Sequence, residues 1–332
     1  MTLLSLRWLR LALPCVLVAG FASAEPQTLI FSHVVSENTP KGKMALMFKS
    51  MIERRMGDQF QIEIYPNTEL MDDDEAVVAI AEGRIHFAAP SLSKFEAYTG
   101  QLMVYDLPFL FANMEAVERF QNSPTGLNLL THMQSDGILG LGYLHNGLKQ
   151  LTANRDFTRP DDLAGLRFRT MTSEVLQKQF ELLDAEAVPM AFGRVYQALA
   201  DNEIQGQENT WSNIYSQAFY EHQPFMMQSN HGVLDYMVIT NTDFWNSLTA
   251  EQRQEFRFAM EMSVKYGNAV ALAKNQNDRA AIASMSGVTL HEPTLQQLVQ
   301  WQNAMKPLWQ EYEPQIGADV IEAALDANQT PD

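Results

Sequence analysis

Arg169 is the residue of this sequence best placed to do chemistry. It ends the run Leu166-Arg167-Phe168-Arg169, in which the two-residue period of a strand turns Phe168 to a core and Arg169 to the opposite face. Ser173, a good N-cap, follows, so Arg169 falls at the C-terminal end of a strand just before a helix begins. Open α/β sheets bind ligands in that crevice, and a helix start adds backbone donors for an anion. The planar guanidinium can take one carboxylate through two parallel hydrogen bonds. The same spacing equally allows a surface arginine paired with Asp161, Asp162 or Glu174, because exposed ion pairs are common and weak.

Other candidates stand at the ends of neighbouring elements. Gln207-Glu208-Asn209-Thr210-Trp211 closes another strand, and the Asn209 amide can reach the same crevice, although asparagine at a strand end also serves as a turn former. Lys149 precedes Leu151-Thr152-Ala153-Asn154, near where the chain would cross between lobes; the bland reading is a solvated lysine. His33 follows the first strand and offers a donor for a second carboxylate. A lone histidine is as readily a structural residue, and the same holds for His231. Phe192 would by default be core.

What is absent narrows the chemistry. No G-x-S-x-G elbow, H-E-x-x-H, P-loop or nucleotide-binding G-x-G-x-x-G occurs, and Gly137-Ile-Leu-Gly-Leu-Gly142 has the wrong order of spacing. With one cysteine, Cys15, and 7 scattered histidines, a zinc site is not expected. The reading is of a protein that is not an enzyme and needs no metal or cofactor. The formal net charge of −17 repels phosphate backbones, so nucleic acid is not an expected partner.

The elements that must position these residues can be read along the chain. Arg7 and Arg10, an apolar run from Leu11 to Phe21, and Ala22-Ser23-Ala24 form a cleavable secretory leader over residues 1–24, which places the mature protein in the periplasm. Cys15 lies inside it, so no disulfide is expected. Thr28 to Ser32 reads as a first strand; Thr39 caps and Pro40 opens a helix with Met44, Met47, Phe48, Met51 and Ile52 on one face. Phe60, Ile62 and Ile64 alternate as a second strand. Asp72 to Glu75 open a helix that runs to Gly83, and Ile85 to Ala89 form a third strand. Strand, helix, strand, helix, strand predicts a parallel α/β unit. The pattern recurs through 166–169, Ser173 to Phe180, 187–189, a helix over Phe192 to Leu199, and a strand over Ile204 to Glu208. Leu234 to Thr240 reads as a returning strand. Thr249 and Gln252 form a capping box for a helix reaching about Ser286, long enough to act as a spine between two lobes, and Thr294 to Ala327 is helical.

Four stretches together resemble the DctP-type receptors of tripartite ATP-independent periplasmic (TRAP) transporters: Ser32-His33-Val34-Val35-Ser36-Glu37-Asn38-Thr39-Pro40-Lys41-Gly42-Lys43, Asn146 to Asn154, Gly165-Leu166-Arg167-Phe168-Arg169-Thr170-Met171, and Gln207 to Tyr215. The resemblance spans almost the whole chain after the leader. It implies a two-lobed, periplasmic binding protein-like α/β fold, with residues 25–146 plus 235–274 as one lobe and 147–234 plus 275–332 as the other. It implies a monomer that closes on a small carboxylate and docks on a permease of one small and one large membrane subunit. By the same resemblance Arg169 grips the ligand carboxylate, Asn209 assists, and Lys149 or His33 serves the far end. Phe192, His231, Trp211 and Ser91 complete the expected lining. The lysine at 149, where receptors for sugar acids resemble an arginine-bearing pattern, tilts the ligand towards a C4-dicarboxylate such as succinate, fumarate or malate. Sugar acids, 2-oxo acids and a role beside a membrane sensor are the other readings.

Overall fold

The computed structural model describes residues 25–329; the expected leader, with Cys15, lies outside the described residues. Strand β1 (Gln27–Ser32) buries Leu29 and Phe31 and pairs in parallel with β2 (Phe60–Tyr65). Between them runs α1 (Pro40–Met56), capped by Thr39, whose side chain accepts from the Gly42 amide, and seated by Met44, Phe48, Met51 and Ile52. Gly42 is required there, since a Cβ would lie 2.4 Å from the Glu37 Cα. Helix α2 (Asp73–Ala81) starts from a full capping box of Asp72 and Glu75. The third strand, β3 (Phe87–Ala88), has only two of the five residues expected. The Ile30 amide donates to the His86 ring at 3.1 Å instead of to a backbone carbonyl, and Pro90 follows, so the ladder cannot extend.

Helices α3 (Met114–Gln121) and α4 (Pro124–Leu129) lead into β4 (Ile138–Ala153), a strand not expected from the sequence. The second unit follows: β5 (Arg167–Thr170), α5 (Glu174–Glu181), β6 (Glu186–Pro189), α6 (Val195–Ala200), β7 (Gly206–Asn209) and α7 (Trp211–Ser216). Helix α6 is shorter than expected because Phe192–Arg194 form a 3₁₀ turn before it. The returning strand β8 (Phe225–Asn241) has 17 residues and pairs antiparallel with β4 along its length, with register shifts between Gly140 and Gly142, His145 and Gly147, and Lys149 and Leu151. After α8 (Thr242–Ser247) comes α9 (Ala250–Ala283), the expected long helix, and then β9 (Thr289–His291), α10 (Leu295–Met305), α11 (Pro307–Ile316) and α12 (Ala318–Asp326).

The strands form one sheet in the order β2-β1-β3-β8-β4-β7-β5-β6, with β9 beside β8. A parallel unit stands at each end (β1 with β2 and β3, β5 with β6 and β7), and the long antiparallel pair β4/β8 joins them. Each unit has its own apolar filling: Phe31, Phe48, Phe87 and Phe256 in the first, Phe168, Phe180 and Trp301 in the second. Helix α9 packs against α1, β4 and α7, and so touches both units. Helix α10 supplies Trp301 to the second filling, whereas α11 and α12 bring Leu308, Tyr312 and Val320 to a cluster with Tyr105 and Phe120. No helix among the described residues is long and apolar enough to cross a membrane.

Candidate functional site

The turn after β1, the first turn of α2, and the C-terminal ends of β5 and β7 converge on one cavity. Val34, Val35, Asp73, Ser91, Lys94, Lys149, Arg169, Phe192, Glu208, Asn209, Asn213 and Tyr236 are among its walls. It lies where the parallel strands of both units end, as the crevice argument expects.

Arg169 is 3% exposed, and its Nε and Nη2 donate to the Met190 carbonyl at 3.0 and 2.8 Å. That bifurcated grip fixes the plane of the guanidinium and leaves Nη1 and the other Nη2 hydrogen for a ligand. The surface ion pair does not form: among the described residues Arg169 is bridged to no carboxylate, and Asp162 instead accepts from the amides of Thr158 and Arg159. Burial pulls the guanidinium down to about 10, opposed by Glu208, Asp74 and Asp73, so it stays charged at neutral pH. Phe192 is a half-buried wall residue with its ring centre 6.0 Å from the Arg169 guanidinium carbon, not a core residue. Behind Arg169, Phe168 stacks on Phe180 with ring centres 4.6 Å apart.

Asn209 ends β7 beside it. Its Oδ1 accepts from Asn213 Nδ2 at 2.7 Å and its Nδ2 donates to Gln207 Oε1 at 3.2 Å. One amide hydrogen of Asn209 therefore remains for a ligand, and the amide's orientation is fixed. Ser91 reaches the cavity through an isolated bridge to Tyr236.

Lys149 is on the wall but already held: its Nζ donates to Glu208 Oε1 at 2.6 Å. Glu208 also accepts from Gln179 Nε2 at 3.0 Å and is 2.7 Å from His231 Nε2. Burial would raise the Glu208 carboxyl, but Lys149 and His231 outweigh it and hold it far below its ordinary value. Lys94, the third wall cation, pairs with Asp74 at 2.6 Å and donates to Thr172 at 2.7 Å. Of the wall cations, only Arg169 has no carboxylate bridged to it among the described residues.

Three expected lining residues are not on this wall. His231 is fully buried and anchors Glu208, with its Nδ1 2.8 Å from Ser229 Oγ; a ring wedged between a carboxylate and a hydroxyl has no edge left for a ligand. Trp211, the first residue of α7, turns to a separate pocket with His145, Gln150 and Leu272. His33 is 1% exposed and packs edge-on against Phe31; burial first, and Lys41 second, push it down to about 3, so it carries no charge at neutral pH. Sequence reasoning missed Glu208, Asn213, Asp73 and Tyr236. Only Asn213 had a usable signal: four residues after Asn209, it returns to the same side one turn into the next helix.

This architecture and this cleft are those of a two-lobed α/β solute-binding protein. The sequence pattern of the DctP family, bacterial extracellular solute-binding protein family 7, matches residues 31–315, and the chain belongs to that family. It is 46% identical over 306 residues to the C4-dicarboxylate-binding periplasmic protein DctP of Shewanella loihica, covering 92% of this chain and 91% of that one. It is similar to the crystal structure of a TRAP periplasmic solute-binding protein from Shewanella oneidensis with bound succinate, at TM-score 0.90 and 47% identity over 92% of this chain and all (100%) of that one. A TRAP periplasmic solute-binding protein from Pseudomonas aeruginosa with bound L-malate matches at TM-score 0.83 and 41% identity, over 86% and 100% of the two chains.

Proposed function

We propose that this chain captures a C4-dicarboxylate in the periplasm, after export through residues 1–24, and delivers it as a monomer to the two membrane subunits of a TRAP permease. One observation carries the ligand class: a buried, oriented Arg169 that faces the cavity with no carboxylate bridged to it. A buried cation without an anion is costly, and an incoming carboxylate removes that cost while it replaces its own hydration with charge-assisted hydrogen bonds. Asn209 supports the same carboxylate. Relatives that carry succinate and malate support four carbons over a sugar acid.

Residues 25–146 with 235–274, and 147–234 with 275–332, act as the lobes that close on the ligand, with α11 and α12 lying back across the first. Ligand contacts to both sides favour closure by their difference in affinity between the closed and open forms. The test is a melting curve of the purified protein against succinate, fumarate, L-malate, 2-oxoglutarate, glucuronate and sialic acid. Ligand at about 100 times its Kd adds about 2.7 kcal/mol, so the C4-dicarboxylates should raise the melting temperature clearly. A rise with glucuronate or sialic acid alone overturns the dicarboxylate.

A further inference from the structure

We propose that Lys41 is the cation for the ligand's second carboxylate and makes the site selective for dianions. This rests on the reading of the chain as a dicarboxylate receptor. Lys41 lies in the first turn of α1, directly after Pro40, and is 1% exposed. Its Nζ is buried and makes no hydrogen bond. The nearest carboxylate, Asp73, is 4.0 Å away, too far to accept from it. Asp73 Oδ2 instead takes the Ser91 amide at 3.3 Å. The ammonium rests on the face of Tyr236, 3.6 Å from the ring centre. Asp73 and Tyr236 are both cavity walls, as are Val34 and Val35 in the turn that leads to α1.

Native structures seldom leave three buried N–H donors on a full charge unused, so such a group calls for an explanation. A ligand oxygen arriving beside Tyr236 supplies it after rotation of the last bonds of a flexible lysine stem. The candidates read from sequence do less well. Lys149 has its charge matched by Glu208 at 2.6 Å, and His33, which like Lys41 lies beside the wall residues Val34 and Val35 without being one of them, carries no charge to offer a carboxylate. Arg169 and Lys41 come from different parallel units of the sheet, one after β1 and one at the end of β5. A ligand with a carboxylate at each end therefore ties the two units together, and a monoanion cannot.

The test is titration calorimetry with succinate and with succinamate, the same skeleton with one carboxylate made a neutral amide. Wild type should prefer succinate by about 30-fold, the scale of one or two hydrogen bonds to a charged group. Lys41→Met should lose about that factor for succinate and change succinamate by less than about threefold, so the preference collapses. Arg169→Ala should weaken both. If Lys41→Met keeps the preference, or weakens both ligands equally as a packing defect would, the assignment is overturned. If wild type binds neither compound, the receptor reading itself fails. A crystal structure of wild type with succinate gives a check that needs no variant: Lys41 Nζ should lie within about 3.2 Å of an oxygen of the carboxylate far from Arg169, and a separation beyond about 4 Å contradicts the proposal.

Discussion

Replacing Glu208 with glutamine keeps its shape and removes the charge on which three side chains converge. In the native protein Glu208 is 3% exposed and holds Lys149 at 2.6 Å, His231 at 2.7 Å and Gln179 at 3.0 Å. Lys149, itself 1% exposed, would be left as an ammonium with an amide for company. Breaking a buried pair from one side costs about 3–5 kcal/mol, because the surviving charge stays desolvated. A partial hydrogen bond from Lys149 to the new amide oxygen places Glu208→Gln towards the lower end, about 3 kcal/mol. Urea unfolding followed by tryptophan fluorescence measures it, with Lys149→Met and the double variant completing a cycle. The double variant should recover at least about half of the loss, since it removes the stranded cation. The pH dependence has a definite sign. The Glu208 carboxyl is depressed from 4.5, so its stabilisation is present above that value and drains away as pH falls below it. The gap between wild type and Glu208→Gln should narrow correspondingly in acid. A loss under about 1 kcal/mol at pH 7, or strict additivity of the two single changes, refutes the claim that this ion pair organises the wall.

Three further outcomes follow from particular contacts. Burial outweighs Asp73 and lowers Lys41 from 10.5 to about 8; both folded and unfolded chains hold the proton below pH 8, so Lys41 contributes least to ligand-free stability there. That stability should climb by about 3 kcal/mol between pH 8 and 10.5 relative to Lys41→Met, whose curve lacks that rise; paired urea titrations across this range check it. At Gly206 a Cβ would meet the Phe168 ring at 2.4 Å, so Gly206→Ala should cost about 1–3 kcal/mol in unfolding experiments and weaken ligand binding through the neighbouring Arg169. Thr172 accepts from Lys94 at 2.7 Å and donates to Asp74 at 2.6 Å, 98 residues away in sequence. Thr172→Val should lower dicarboxylate affinity about three- to tenfold, measured by calorimetry, with little change in ligand-free stability, as suits an exposed latch between the two sides.

Much of the fold was legible because its signals are local. Thr39-Pro40, Asp72 with Glu75, and Thr249 with Gln252 each mark a helix start by cap chemistry alone, and all three sit where expected. Strand β4 was not legible: its three register shifts, two of them at glycines, break the alternation by which a strand is recognised. The site divides in the same way. Arg169, Asn209, Phe192 and Ser91 reach the cavity from the ends of elements that sequence could place, whereas Lys149 reaches it from within β4. His33 and His231 could not be judged, because a histidine's role depends on whether its ring meets a ligand, Phe31 or Glu208. The same limit hid Lys41, whose meaning lies in a buried ammonium that makes no hydrogen bond, a fact that exists only in three dimensions.

The most direct test of the receptor reading is titration of the purified protein with succinate, alone and as Arg169→Ala. Two parallel charge-assisted hydrogen bonds at about 1.5–3 kcal/mol each make the expected loss at least about 100-fold in Kd, with unfolding still cooperative. Succinate binding by the variant within about threefold of wild type would contradict the account at its centre, since no other cation on the cavity wall is without a bridged carboxylate among the described residues.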